Sequence, residues 1–156
     1  MKTEQIKSKI LKIAPEIFKG RKIVFAYLYG SVAQDQSHHF SDLDVGIYTR
    51  RLTSKACRKL ELDLALAIDD VLVDAPESDV RIMNSLPLAI TGKIVTDGIL
   101  IYCEDDNKRI EYESNTRMAY FDFHPIIRSY QQTYLEQTQI TDKLEDFKLG
   151  LDNGID

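Results

Sequence analysis

Residues 23–29, Ile-Val-Phe-Ala-Tyr-Leu-Tyr, form an unbroken apolar run rich in β-branched and aromatic side chains, halted by Gly30. Such a run reads as a buried strand. A second strand is expected over Leu43–Tyr48, with Leu43, Val45 and Ile47 on one face and Asp42, Asp44 and Gly46 on the other. Shorter strands are expected over Asp79–Met83 and Ile99–Cys103. Between and around them the period is helical. Ile6, Ile10, Ile13 and Ile17 share one face of a first helix, which Pro15 is expected to kink or split and Gly20 to stop. Ala56, Leu60, Leu64, Ala67 and Val71 hold the period of a second, from Ser54 as its cap to about Val73. A third follows Pro87 to about Thr96, and a last helical region runs from about Asp106 to Gln139 with an interruption near Pro125. This order predicts an α/β (α+β) sandwich, a mixed sheet flanked by helices, with a C-terminal helical region. The long interval between the second and third strands permits a crossover helix.

A chain of 156 residues fits one domain. We expect it over residues 1–140, followed by a tail, 141–156, that frays at its polar end, Gly150–Asp156. Hydrophobic residues at 44% and charged residues at 29% exclude collagen-like, low-complexity and wholly disordered classes. No apolar run approaches the length of a membrane span, and the start, MKTEQIKSKI, lacks the apolar stretch of a signal peptide, so a cytoplasmic location is expected. Cys57 and Cys103 have no metal-ligand spacing and are expected to be reduced packing residues. The net charge is −5, yet residues 1–22 hold seven Lys/Arg and only two acids. The acidity therefore lies downstream, and a body so charged is a poor non-specific binder of nucleic acid.

The chemistry is concentrated where the first two strands meet their loop. Asp42 and Asp44, one residue apart on a strand, project from the same face. Paired carboxylates repel, and burial raises that cost unless a cation sits between them. All-oxygen ligands of this type suit Mg²⁺. Asp79 heads another strand, and if the strands are neighbours three acids converge, enough to hold two Mg²⁺ for in-line phosphoryl or nucleotidyl transfer. Gly30-Ser31 directly follows the first strand. Glycine there allows close backbone approach, and the turn's N–H groups with the Ser31 hydroxyl offer a phosphate seat.

Tyr29-Gly30-Ser31, then ten residues ending in Ser41, then Asp42-Leu43-Asp44 resembles the nucleotidyltransferase signature of the DNA polymerase β-like superfamily. The short length resembles its minimal (MNT) branch. Asp79-Val80-Arg81-Ile82-Met83-Asn84 with Pro87 is similar to the family's third-acid strand and following Asn-x-x-Pro. Asp97-Gly98-Ile99-Leu100-Ile101-Tyr102 resembles its Asp/Glu-Gly hairpin, and Arg109, Glu113 and Tyr120-Phe121-Asp122-Phe123 its C-terminal helical region. The resemblance covers roughly residues 5–135 and points to MntA-like antitoxins, encoded beside HEPN-domain toxins.

That resemblance implies a nucleotidyltransferase fold, ATP as co-substrate and Mg²⁺, two ions being expected. It implies AMP transfer to a tyrosine of a HEPN ribonuclease, which silences the toxin in a type VII toxin–antitoxin pair. Carried over by position, Gly30 and Ser31 would hold the triphosphate, Asp42 and Asp44 both metals, and Asp79 the catalytic metal while helping to deprotonate the tyrosine. The chain departs from the pattern at Gln34 and Asp35, where relatives often carry a basic residue and a glycine, and at Ile82, where a further acid is sometimes seen. The phosphate loop thus lacks a cation; His38 and His39 are the nearby substitutes, though loop histidines are more often bystanders. Arg81 is expected to pair with Asp79, His124 to be a packed or surface residue, and Tyr112, Tyr120, Tyr130 and Tyr134 to be core, any exposed members suiting a partner groove. Two other readings fit the same residues: an antitoxin acting by stoichiometric occlusion, and a transferase for a small molecule such as an aminoglycoside.

Overall fold

The computed structural model describes residues 2–36 and 41–152, with side chains through residue 141. His38 and His39 lie outside the described residues. By its contacts the chain divides into two units, residues 1–119 and 120–156.

In the first unit the order is α1 (Thr3–Phe18), β1 (Ile23–Tyr29), α2 (Gly30–Ala33), β2 (Leu43–Thr49), α3 (Ser54–Val71), β3 (Ser78–Ile82), a 3₁₀ turn (Met83–Ser85), α4 (Leu88–Asp97), β4 (Ile99–Cys103) and the start of α5 (Asp106–Asp152). The four strands form one sheet in the order β3-β2-β1-β4. β1 is antiparallel to both its neighbours, and β2 is parallel to β3 through the crossover helix α3. The expected mixed sheet flanked by helices is therefore the fold observed.

Each face of the sheet has its own apolar core. On one, Leu43, Val45, Ile47, Val80 and Ile82 meet Ile6, Ile10, Phe18, Leu64 and Ile68 of α1 and α3. On the other, Phe25 and Tyr27 pack with Met83, Ile94 and Val95, and with Tyr48 and Tyr112 at the margin. Phe25 stacks on Tyr48 with ring centroids 4.7 Å apart. The apolar character of β1 on both faces follows from this double covering. In the second core the Tyr27 hydroxyl donates to the Glu113 carboxylate, which also accepts from Arg109 at 2.9 Å. Arg109 and Glu113 thus tie the first turns of α5 to β1. Tyr27→Phe is expected to cost about 1.5–3 kcal/mol, the range for a hydrogen bond to a charged group, read as a lower midpoint in urea unfolding.

Four local expectations are corrected. Pro15 does not split α1: it lacks the N–H that would reach the Leu11 carbonyl, but Leu11 is exposed and water can serve that oxygen. Pro125 likewise does not interrupt α5, where Phe121 four residues back is exposed. The cap of α3 is Thr53, whose side chain accepts from the Ala56 amide at 3.2 Å, and not Ser54, because Thr53 has the extended backbone a cap needs. Val71 is exposed; the buried stripe of α3 runs through Leu64 and Ile68.

In the second unit α5 continues as helix through Asp152. Tyr120 is buried and meets the His124 ring edge-on at 5.2 Å, so His124 is a packing residue. Phe121, Phe123, Ile126, Tyr130, Tyr134 and Leu135 are exposed, which corrects the expectation that Tyr130 and Tyr134 are core. Among the described residues no helix is long and apolar enough to cross a membrane.

Candidate active site

The strand register assembles the site. β1 ends on Tyr29, which lies opposite Asp44 of β2. On the other side, parallel pairing sets Asp44 beside Asp79 of β3. Asp42 precedes β2 by one residue and, with alternate side chains on alternate faces, shares the Asp44 face. The three acids named from the sequence therefore come to one face at one end of the sheet.

Gly30 turns the chain there, and its φ of +72° lies in the left-handed region that glycine alone adopts freely. A Cβ at this position would lie 3.0 Å from the Asp44 carboxyl carbon and nearer still to Oδ2. The turn thus needs glycine for its conformation and for the carboxylate beside it. Ser31, half-buried, follows in the single turn α2.

The electrostatics record the crowding. Burial, then the nearby Asp79 and Asp42 carboxylates, push the Asp44 carboxyl above its usual range, with Arg81 opposing. Burial, then Asp44 and Asp79, push the Tyr29 hydroxyl up to about 12, so it stays protonated at neutral pH. Arg81 Nε donates to Asp79 Oδ2 at 3.0 Å, the ion pair expected from their spacing. Among the described residues no three His, Cys, Asp or Glu side chains are already closed around a single ion-sized point. The donor set nevertheless fits a hard divalent cation: three carboxylates, all oxygen, whose mutual repulsion at Asp44 a cation would relieve. Cys57 and Cys103 are free thiols; Cys57 packs in the core on the other face of the sheet, and Cys103 is opposite Phe25, toward the far end of β1 from Tyr29.

Beside the acids lies a pocket of about 220 Å³, walled by Tyr29, Gly30, Ser31 and Gln34 on one side and by Lys93 and Asp97 of α4 on the other. Larger hollows exist, one of about 540 Å³ along α1 lined by Glu4, Gln5, Ser8, Lys9 and Asp74, but it holds no comparable grouping of acids and turn among the described residues. Gln34 Nε2 donates to Asp97 Oδ2 at 3.4 Å, joining loop to helix. Asp35 has φ +58°, a left-handed backbone that glycine adopts most freely, and Lys7 of α1 pairs with its carboxylate at 2.7 Å. Lys93 was not singled out from the sequence, and Asp97 was named only as the start of the Asp97-Gly98 hairpin. The pairing of Leu28 with Ile99 brings the end of α4 beside the turn after β1, and no local pattern announces that long-range contact.

A mixed sheet carrying a Gly-Ser turn and paired aspartates defines a nucleotidyltransferase fold. Residues 11–107 match the family described as Polymerase beta, Nucleotidyltransferase, and the chain belongs to it. Among solved structures, it is similar to a mutant of the toxin–antitoxin MntA-HpeT, at 22% identity and TM-score 0.51, covering 88% of this chain and 97% of that one. It is similar also to a toxin–antitoxin crystallised with AMP-PNP, at 19% identity and TM-score 0.55, covering 85% and 98%. A third, the toxin–antitoxin MntA-HepT, is 17% identical with TM-score 0.51, covering 87% and 98%. No curated protein matches this chain.

Proposed function

We propose that this chain is an antitoxin that transfers AMP from ATP to a tyrosine of a cognate HEPN ribonuclease, silencing it. The observation that carries the reading is the convergence of Asp42, Asp44 and Asp79 on one sheet face beside the Gly30-Ser31 turn. Support for the nucleotide comes from family membership and from the similar toxin–antitoxin with AMP-PNP. Asp42, Asp44 and Asp79 would hold the divalent ions. When bound, Mg²⁺ supplies charge neutralisation on the phosphates.

The chain's own residues do the rest. Gly30 lets the triphosphate approach the backbone, and the Ser31 hydroxyl donates to a phosphate oxygen. The partner's tyrosine oxygen attacks the α-phosphorus, its bond to the bridging oxygen breaks, and pyrophosphate leaves. Asp79 receives the tyrosine proton on the carboxylate oxygen that Arg81 leaves open, since the Arg81 bond engages Oδ2. Arg81 then remains alongside as a cation where negative charge accumulates.

The test is mass spectrometry of the co-encoded HEPN protein after incubation with this chain, ATP and Mg²⁺. The expected result is one or more AMP adducts on tyrosine with the native chain and none with the Asp42→Asn/Asp44→Asn double variant. An unmodified toxin in the native reaction overturns the proposal. The exposed aromatic and aliphatic side chains of α5 favour a second reading, stoichiometric occlusion. Protection at equimolar ratio by a chain changed at Asp42, Asp44 and Asp79 together would select it.

A further inference from the structure

We infer that Lys93 of α4 is the cation that grips the outer phosphates of the bound triphosphate, replacing a basic residue missing from the loop after β1; this rests on the nucleotide-transfer reading above. Three observations lead there. The loop of residues 30–41 contains no Lys or Arg, and its positions 34 and 35 are Gln and Asp. The nearest basic side chain from α1, Lys7, is engaged by Asp35 at 2.7 Å and by Glu4 at 3.4 Å. Lys93, by contrast, is exposed, lines the same 220 Å³ pocket as Gly30 and Ser31, and is the sole Lys or Arg among the described residues on its walls.

Nothing among the described residues neutralises it. Among the described residues Lys93 enters no ion pair, even with Asp97 one helical turn on. The Asp97 carboxylate is instead in contact with the Gln34 amide. A lone ammonium facing a glycine turn and a serine hydroxyl is suited to a polyphosphate, because a flexible point charge can follow the β- and γ-phosphates without demanding one geometry. A Cβ on Gly30 would meet Asp44, on β2, whereas Lys93 comes from α4, the helix that leads into β4 on the other flank of β1. β4 pairs with β1 and directly follows α4, which brings Lys93 to the turn after β1.

The test is calorimetric titration of the native chain with ATP and with AMP, each in Mg²⁺. Lys93→Ala is expected to weaken ATP by about tenfold while AMP changes by less than about twofold, since AMP lacks the outer phosphates. Gln34→Arg in the Lys93→Ala background is expected to recover most of the ATP affinity, and Lys93→Arg alone to retain it. Unchanged melting temperature in each variant shows that the fold is intact. Equal ATP affinity in Lys93→Ala and native chains overturns the inference and leaves the transfer reading standing. Native ATP binding that Lys93→Ala weakens, with the HEPN protein left unmodified, overturns the transfer reading alone. A native chain that binds no ATP overturns both.

Discussion

Asp44→Asn is expected to lower AMP transfer by about a thousandfold or more, equivalent to about 4 kcal/mol of lost transition-state stabilisation, without lowering stability at neutral pH. The two effects have one cause. Asp44 sits between Tyr29 and Asp79, half-buried, with Gly30 pressed against its carboxylate. Its carboxyl is raised by burial and then by Asp79 and Asp42. A carboxyl raised on folding contributes stability below its unfolded value and loses it as pH climbs through the folded value. At neutral pH the ionised Asp44 is therefore a strain on the fold, and asparagine, nearly the same shape, removes it. The native chain should also gain melting temperature with Mg²⁺, as a ligand bound only by the folded state requires, and Asp44→Asn should gain much less. Melting curves with and without Mg²⁺ beside a transfer assay read both. A variant that transfers AMP as fast as native sinks the assignment of Asp44.

The strands were legible because their signal is local. The run Ile23–Tyr29 and the segment Ile99–Cys103 have the predicted bounds, and the alternation around Asp42 and Asp44 placed both on one face. What joins the acids is not local. The pairing of Asp44 with Asp79 depends on how α3 carries the chain from the end of β2 back to the start of β3, a matter of helix packing that no short pattern encodes. Lys93 escaped notice for the same reason, through β4. The helix errors have a different origin. Both prolines remove one backbone bond, but Leu11 and Phe121 are exposed, so the orphaned carbonyls have water and the helices continue. The buried face of α3 was misassigned at its end because the helix carries leucines and valine outward as well as inward: Leu62, Leu66 and Val71 are all exposed. With apolar residues on several faces, period alone cannot choose between Val71 and Ile68.

Gly30→Ala should be strongly damaging, and Gly20→Ala supplies its control. Both glycines have positive φ, +72° and +78°. A Cβ on Gly20 meets nothing within 4 Å, so that variant feels only the left-handed backbone, about 1–2 kcal/mol. A Cβ on Gly30 meets the Asp44 carboxylate as well, adding the cost of overpacking, about 1–3 kcal/mol. At about 2–4 °C per kcal/mol for a chain of this size, Gly30→Ala should melt clearly below Gly20→Ala in thermal unfolding. Transfer should survive in the Gly20 variant and vanish in the Gly30 variant, because the methyl either displaces Asp44 or lifts the turn from the phosphates. The double variant Gly30→Ala/Asp44→Ala separates these costs. Removing the carboxylate frees the space, so the melting temperature should recover toward that of Gly20→Ala, a coupling readable as non-additivity of the two single changes. Equal melting temperatures for Gly20→Ala and Gly30→Ala would show instead that the turn and the carboxylate do not press on one another.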